Sequence, residues 1–187
     1  VTPPPMSPEL EALLEEGDTH YDDDARLLST KFRSPGYHTR IASGTTVHPT
    51  RESLIYALAL LQRNDTGDAE RSGDIIRRVI DMQNSDRKSK TYGVWPWLLE
   101  EPLSKMKSPD LNWADFCGAQ LVHVLLEHPG KLPTKLQTEM RESLQRAVSA
   151  IRRRDVSPGY TNIAILGGVV CVAAGELIND QEILTYG

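Results

Sequence analysis

Cysteine, phenylalanine and methionine are scarce in this chain. Its 187 residues include 2 Cys, 2 Phe and 4 Met. The two cysteines, Cys117 and Cys171, lie inside apolar helical segments and read as core thiols, without metal-site spacing. Basic charge is also short. The net charge is -5, which argues against a nucleic-acid footprint. The one dense basic cluster, Arg152-Arg153-Arg154, ends a helix, where cations complement the dipole. Long apolar runs are missing: the longest, 163–175, is too short to span a bilayer. The first residues, Val1-Thr2-Pro3-Pro4-Pro5, carry no apolar signal segment. No nucleophile elbow, phosphate loop, HExxH pair or zinc spacing is present, so neither cofactor nor metal is expected. Nothing in the sequence fixes a cellular compartment.

What the chain does hold is concentrated in 92–116, which contains all 3 tryptophans. Pro96 and Pro102 exclude a regular helix in the first half and push their preceding residues to extended backbone. The second half, from Asp110, reads as a helix start. A stiff loop therefore feeds the N-terminus of a buried helix.

Upstream, Ser7 and Pro8 predict a short helix over 8–16. An acidic turn follows over 17–24, then a short helix over 25–30 favoured by the charge at its start. Residues 32–49 read as irregular, with short strands near 37–41 and 45–47. From residue 50 the pattern becomes regular. Segments 50–62, 112–127 and 161–178 are apolar nearly all round and predict buried helices. Segments 68–84 and 133–153 carry one apolar stripe each, the second through Leu136, Met140, Leu144, Val148 and Ile151. The alternation predicts an all-α fold of helical hairpins in two layers, with an irregular N-terminal segment. Leu58, Phe116, Leu125 and Ile165 are expected to be buried, and Arg77, Glu142 and Arg146 exposed. The division is a lead of short helices over 1–31 and a hairpin domain over 32–187. Segment 161–178 needs apolar cover that the seven residues ending at Gly187 scarcely supply. The expectation is that the chain continues, or that a second chain supplies the missing hairpins.

The segments Gly93-Val94-Trp95-Pro96-Trp97, Asn112-Trp113-Ala114-Asp115-Phe116 and Tyr160-Thr161-Asn162-Ile163-Ala164 resemble the α/α-toroid proteins, the architecture of six-hairpin glycosidases and many polysaccharide lyases. They also resemble segments of bacterial proteins of this class. The resemblance runs from about residue 32 to the C-terminus and rests on the hairpin pattern; no catalytic motif of a characterised family maps onto it. It implies a partial toroid, with about two and a half of six hairpins. It also implies a sugar groove at the N-termini of the inner helices, and an oligosaccharide or polysaccharide partner.

The residues themselves allow this chemistry. Trp95 and Trp97 flank a proline and, with Trp113, offer stiff aromatic faces for sugar C–H surfaces; each also suits the loop's own core. Glu100, Glu101, Asp110 and Asp115 are the candidate acids and bases, and two of them facing each other would serve glycoside hydrolysis. Capping by Asp110 or Asn112, and a dipole role for Asp115, are the competing structural readings. Tyr160 and Asn162, with His38 and His48, would instead suit a lyase, in which an amide binds an acid and a phenol or imidazole moves protons. A non-catalytic helical module that binds a protein or glycan through the same face is the alternative.

Overall fold

The computed structural model describes residues 6–33 and 38–187. The proline lead, 1–5, and the start of the expected strand 37–41 fall outside them. The fold is all-α apart from short strand pairs. Helix α1, Pro8–His20, starts as expected, with Ser7 Oγ accepting from the Leu10 N–H. It runs one turn further than expected. The acidic run then makes a hairpin rather than starting a helix: Asp22 Oδ1 accepts from the N–H groups of Asp24 and Ala25, and Arg26 takes positive φ. This pairs β1, Tyr21–Asp22, with β2, Leu27–Leu28, in place of the expected helix over 25–30. Strand β3, Thr30–Lys31, pairs antiparallel with β4, Thr46–Val47. Residues 38–41 form no strand.

Five longer helices follow: α2, Thr50–Arg63; α3, Asp68–Met82; α4, Trp113–Glu127; α5, Thr134–Arg154; and α6, Thr161–Ile178. A short α7, Gln181–Tyr186, closes the described chain. Asn64, Asp155 and Asn179 end α2, α5 and α6 in the left-handed conformation that short polar side chains tolerate. Helix α4 packs against α2, α5 and α6, while α3 covers α2 and reaches α5. Leu14 and Leu27 from the N-terminal segment enter the same apolar core as Leu60, Leu121 and Leu144, so the lead is part of the domain's packing. Asp18 anchors it further, accepting from Arg63, Arg71 and Tyr56.

The apolar stripe of α5 is buried as the spacing requires. Leu125 is buried and Arg77 and Glu142 are exposed, but Leu58, Phe116 and Arg146 are half-buried. Arg146 is drawn inward by Gln83 Oε1 at 2.7 Å. Ile165 is 63% exposed, because α6 has α4, α5 and α7 on one side only. By length and composition alone, α6 is apolar enough to cross a membrane, with mean hydropathy 1.8; 39% of it is buried within this fold.

Candidate functional site

The loop over 83–112 is held by its own buried groups. Trp95 is fully buried and donates its indole N–H to the Val79 carbonyl at 2.9 Å. It is a core residue; the expected sugar-facing role is corrected by that burial. Gly93 has φ +83, and a Cβ there would lie 2.0 Å from the Arg146 carbonyl oxygen. Only glycine permits this contact between the loop and α5. Glu101 is buried, with Oε1 accepting from the Arg40 N–H at 2.7 Å, so it braces the loop.

Thr50, fully buried at the start of α2, joins three segments. Its N–H donates to the Trp97 carbonyl at 3.0 Å. Its hydroxyl donates to the Pro96 carbonyl at 2.9 Å and accepts from Trp113 Nε1 at 2.9 Å. Asn112, just before α4, donates to the hydroxyl of Tyr160 just before α6, at 3.4 Å. These bonds bring the N-termini of α2, α4 and α6 to one face. The sequence residues Trp97, Trp113, Asn112 and Tyr160 are joined there, with Asp110 bonded to the Asn112 N–H; Asp115, in the first turn of α4, turns its side chain instead into a cavity toward α5 and α6 whose lining includes none of them. Asn162 is exposed in the first turn of α6 and is not drawn into the cluster by any hydrogen bond among the described residues.

An aromatic row runs along this face. Trp97 lies 5.0 Å from Trp113 between ring centroids, and His38 packs edge-on to Trp97 at 5.2 Å. His38 Nδ1 lies 2.7 Å from the Ser108 carbonyl. A carbonyl only accepts, so Nδ1 carries the proton. The Arg51 guanidinium sits over both Trp113 and Phe116, 5.3 and 5.1 Å from their centroids. The sequence reading passed over Arg51. Its signal was a cation in the first helical turn, where the dipole disfavours it; the Glu52 carboxylate, which accepts from Arg51 Nε at 3.0 Å, and the two aromatic faces supply the attraction instead.

The carboxylates separate into two groups. Glu100 is engaged by His48: its Oε1 lies 2.5 Å from Nδ1, and its Oε2 accepts the His48 N–H at 3.1 Å. The other ring nitrogen faces Asp22 at 3.2 Å. Asp22, His48 and Glu100 thus clasp the β1–β2 hairpin to the loop. This is a structural duty for two residues expected in a groove. Asp115 is different. It is 2% exposed and lines a cavity of about 190 Å³ with Arg154, Ile163 and Gly167. Burial pushes its carboxyl up to about 6, against the pull of the Arg154 cation; the nearby Asp110 charge adds to the rise. Arg154 approaches at 3.5 Å, so the member of the basic cluster read as a helix-end charge is the partner of the buried acid. Asp110 is half-buried, and its Oδ1 accepts from the Asn112 N–H at 3.0 Å. The two combine a buried carboxyl that keeps its proton up to about pH 6 with a more accessible neighbour. Among the described residues, no group of His, Cys, Asp and Glu is arranged to hold a metal ion.

Residues 11–187 match the family described as Domain of unknown function (DUF8769). No curated protein matches the chain, and no solved structure matches it.

Proposed function

We propose that this chain, which belongs to the DUF8769 family, is a carbohydrate-active protein of glycoside-hydrolase type. In this reading its helices are part of an α/α toroid, and its saccharide lies across the N-termini of α2, α4 and α6. The neighbour relations of α2, α4 and α6, with α3 and α5 against them, support that architecture. The observation that carries the function is Asp115, buried beside a cavity in the first turn of α4 with its carboxyl pushed up to about 6, on the helix that Trp113 begins.

Asp115 gives its proton to the glycosidic oxygen as the bond to the anomeric carbon breaks. Asp110 takes a proton from the water that attacks that carbon. Trp97 and Trp113 present ring faces to the sugar C–H surfaces, with Arg51 holding Trp113 in place. Asn112 and Tyr160 hydrogen-bond sugar hydroxyls. Arg154 stabilises Asp115 once it has lost its proton. The test is a screen of the full chain on neutral and uronic-acid oligosaccharides, reading reducing ends and ultraviolet absorbance. New reducing ends without an unsaturated product support hydrolysis. An unsaturated product moves the chemistry to a lyase using Tyr160.

The second reading, a non-catalytic helical module that binds a protein or glycan through the same face, is favoured by the structural duties of Glu100 and Glu101, which brace the loop. Saccharide binding without turnover, or no saccharide response at all, would select it.

A further inference from the structure

The loop that leaves α3 carries positive charge that no carboxylate offsets. Arg87, Lys88 and Lys90 lie on it, and Arg146 and Arg153 of α5 lie against it. The ion pairs formed by Lys and Arg among the described residues involve none of these five cations. Neutral oxygens hold two of them instead. The buried Gln83 side chain accepts from Arg146 Nε at 2.7 Å and from Ser143 Oγ at 2.8 Å. Its amide nitrogen donates to the Gly93 and Ser143 carbonyls at 2.9 and 3.1 Å. Every hydrogen-bonding position of that amide is used, so Arg146 is fixed in place. Arg153 Nη2 donates to the Lys90 and Tyr92 carbonyls, both at 3.1 Å. An amide or carbonyl oxygen orients a guanidinium as a carboxylate does, but leaves its full charge for another anion. The loop itself is preset: the Asn84 amide donates to Ser89 Oγ at 2.9 Å and Thr91 Oγ1 at 2.7 Å.

Arg87 and Arg146 line one groove of about 390 Å³, whose other walls are Ser85, Tyr92, Gln145 and Glu142. We propose that this groove binds the phosphate group of a small phosphorylated ligand. Its volume is at the lower end of small-molecule sites, which begin at about 300 Å³. The two guanidinium forks, with the hydroxyls of Ser85 and Tyr92 and the amide of Gln145, offer donors to all three terminal oxygens of a phosphomonoester. A carboxylate has two oxygens and leaves part of that set unused. Glu142 opposes the anion from within the lining. Asp86 is the other acid on the loop, and its Oδ1 is turned to the Lys88 N–H at 2.9 Å. Lys88, Lys90 and Arg153 around the groove outweigh both, in a chain whose net charge is -5. Helix α5, which forms one wall, already has α3, α4 and α6 against it. The proposal is independent of the saccharide reading and uses none of its residues.

The experiment is a phosphorus NMR titration of the full chain with inorganic phosphate and with a hexose monophosphate, at constant ionic strength. R87Q, R146K, E142Q and K135Q are run beside the wild type, and circular dichroism checks that each keeps its helix content. Lys135, exposed near the start of α5, controls for the loss of one positive charge elsewhere. Saturable binding of both probes is expected. R87Q should weaken it by about tenfold or more. R146K, which keeps the charge and loses the fork, should weaken it by about threefold or more. E142Q should tighten it, because the opposing charge is gone, and K135Q should leave it unchanged. No saturable response to either probe overturns the proposal. So does equal weakening by R87Q and K135Q, which would reduce the effect to overall charge. A third arm measures co-sedimentation with phosphatidic-acid vesicles; binding confined to those vesicles overturns the proposal in favour of a lipid surface.

Discussion

Trp113 donates its indole N–H to Thr50 Oγ1 at 2.9 Å, and this contact locks the first turn of α4 to the first turn of α2. Thr50 passes the constraint on, donating the same hydroxyl to the Pro96 carbonyl. One buried oxygen, acting as donor and acceptor, therefore sets the position of the Trp-rich loop relative to two helices.

Thr50→Val keeps the shape of that side chain and removes every bond of its hydroxyl, including a longer one to the Trp97 carbonyl at 3.2 Å. The Trp113 N–H and the Pro96 carbonyl lose their partner, so stability should fall by about 1–3 kcal/mol. Urea unfolding measures this, and a change near zero would mean that water replaces the hydroxyl without loss.

The two tryptophans flanking Pro96 should behave in opposite ways. Trp95→Ala opens a cavity in the core and should cost about 3–5 kcal/mol. Trp97→Ala removes a half-buried ring and should cost about 1 kcal/mol, while abolishing any saccharide-induced change in fluorescence. Equal destabilisation by the two would return Trp97 to the core.

Gly93→Ala tests the close approach of the loop to α5. The new methyl group has no room beside the Arg146 carbonyl, and the backbone at φ +83 disfavours any side chain. A loss of about 3 kcal/mol or more is expected in thermal or urea unfolding.

The regular part of this architecture was legible because helical spacing reports burial directly. Leu136, Met140 and Leu144 recur every four residues, and all three are fully buried. The N-terminal segment was not legible. Helix or hairpin over 20–30 depends on where the Asp22 side chain finds its donors, and two backbone N–H groups outweigh any dipole preference. Ile165 was misjudged for a related reason: an all-apolar helix predicts cover, and α6 is covered on one side only. At the site, aromatic and acidic residue types were visible in the sequence, but their sorting was not. Glu100 and Asp115 differ through His48 and Arg154, partners 52 and 39 residues distant in the chain.

Asp115 gives a signed pH dependence. Its carboxyl titrates near 6 when folded, against an ordinary value of 3.8. A raised carboxylate pKa contributes stability that is full below the unfolded value and lost as pH rises through the folded one. Stability should therefore decline between about pH 4 and pH 6 on account of this group. Asp115→Asn should flatten that decline. Above pH 6 the variant should be the more stable protein by on the order of 1–3 kcal/mol, reduced by whatever Arg154 loses. Urea unfolding at several pH values reads both. A variant with the same pH slope as wild type would remove Asp115 as the titrating group.

The most direct test of the account is the pH profile of oligosaccharide cleavage by the wild-type chain beside Asp115→Asn. The account predicts release of reducing ends that falls as pH rises through about 6, where Asp115 gives up its proton. Asp115→Asn should retain the fold and the saccharide binding and lose at least about 100-fold in rate. Cleavage that persists in Asp115→Asn with an unchanged pH profile would contradict it, as would a folded wild-type chain that neither binds nor cleaves any saccharide in the panel.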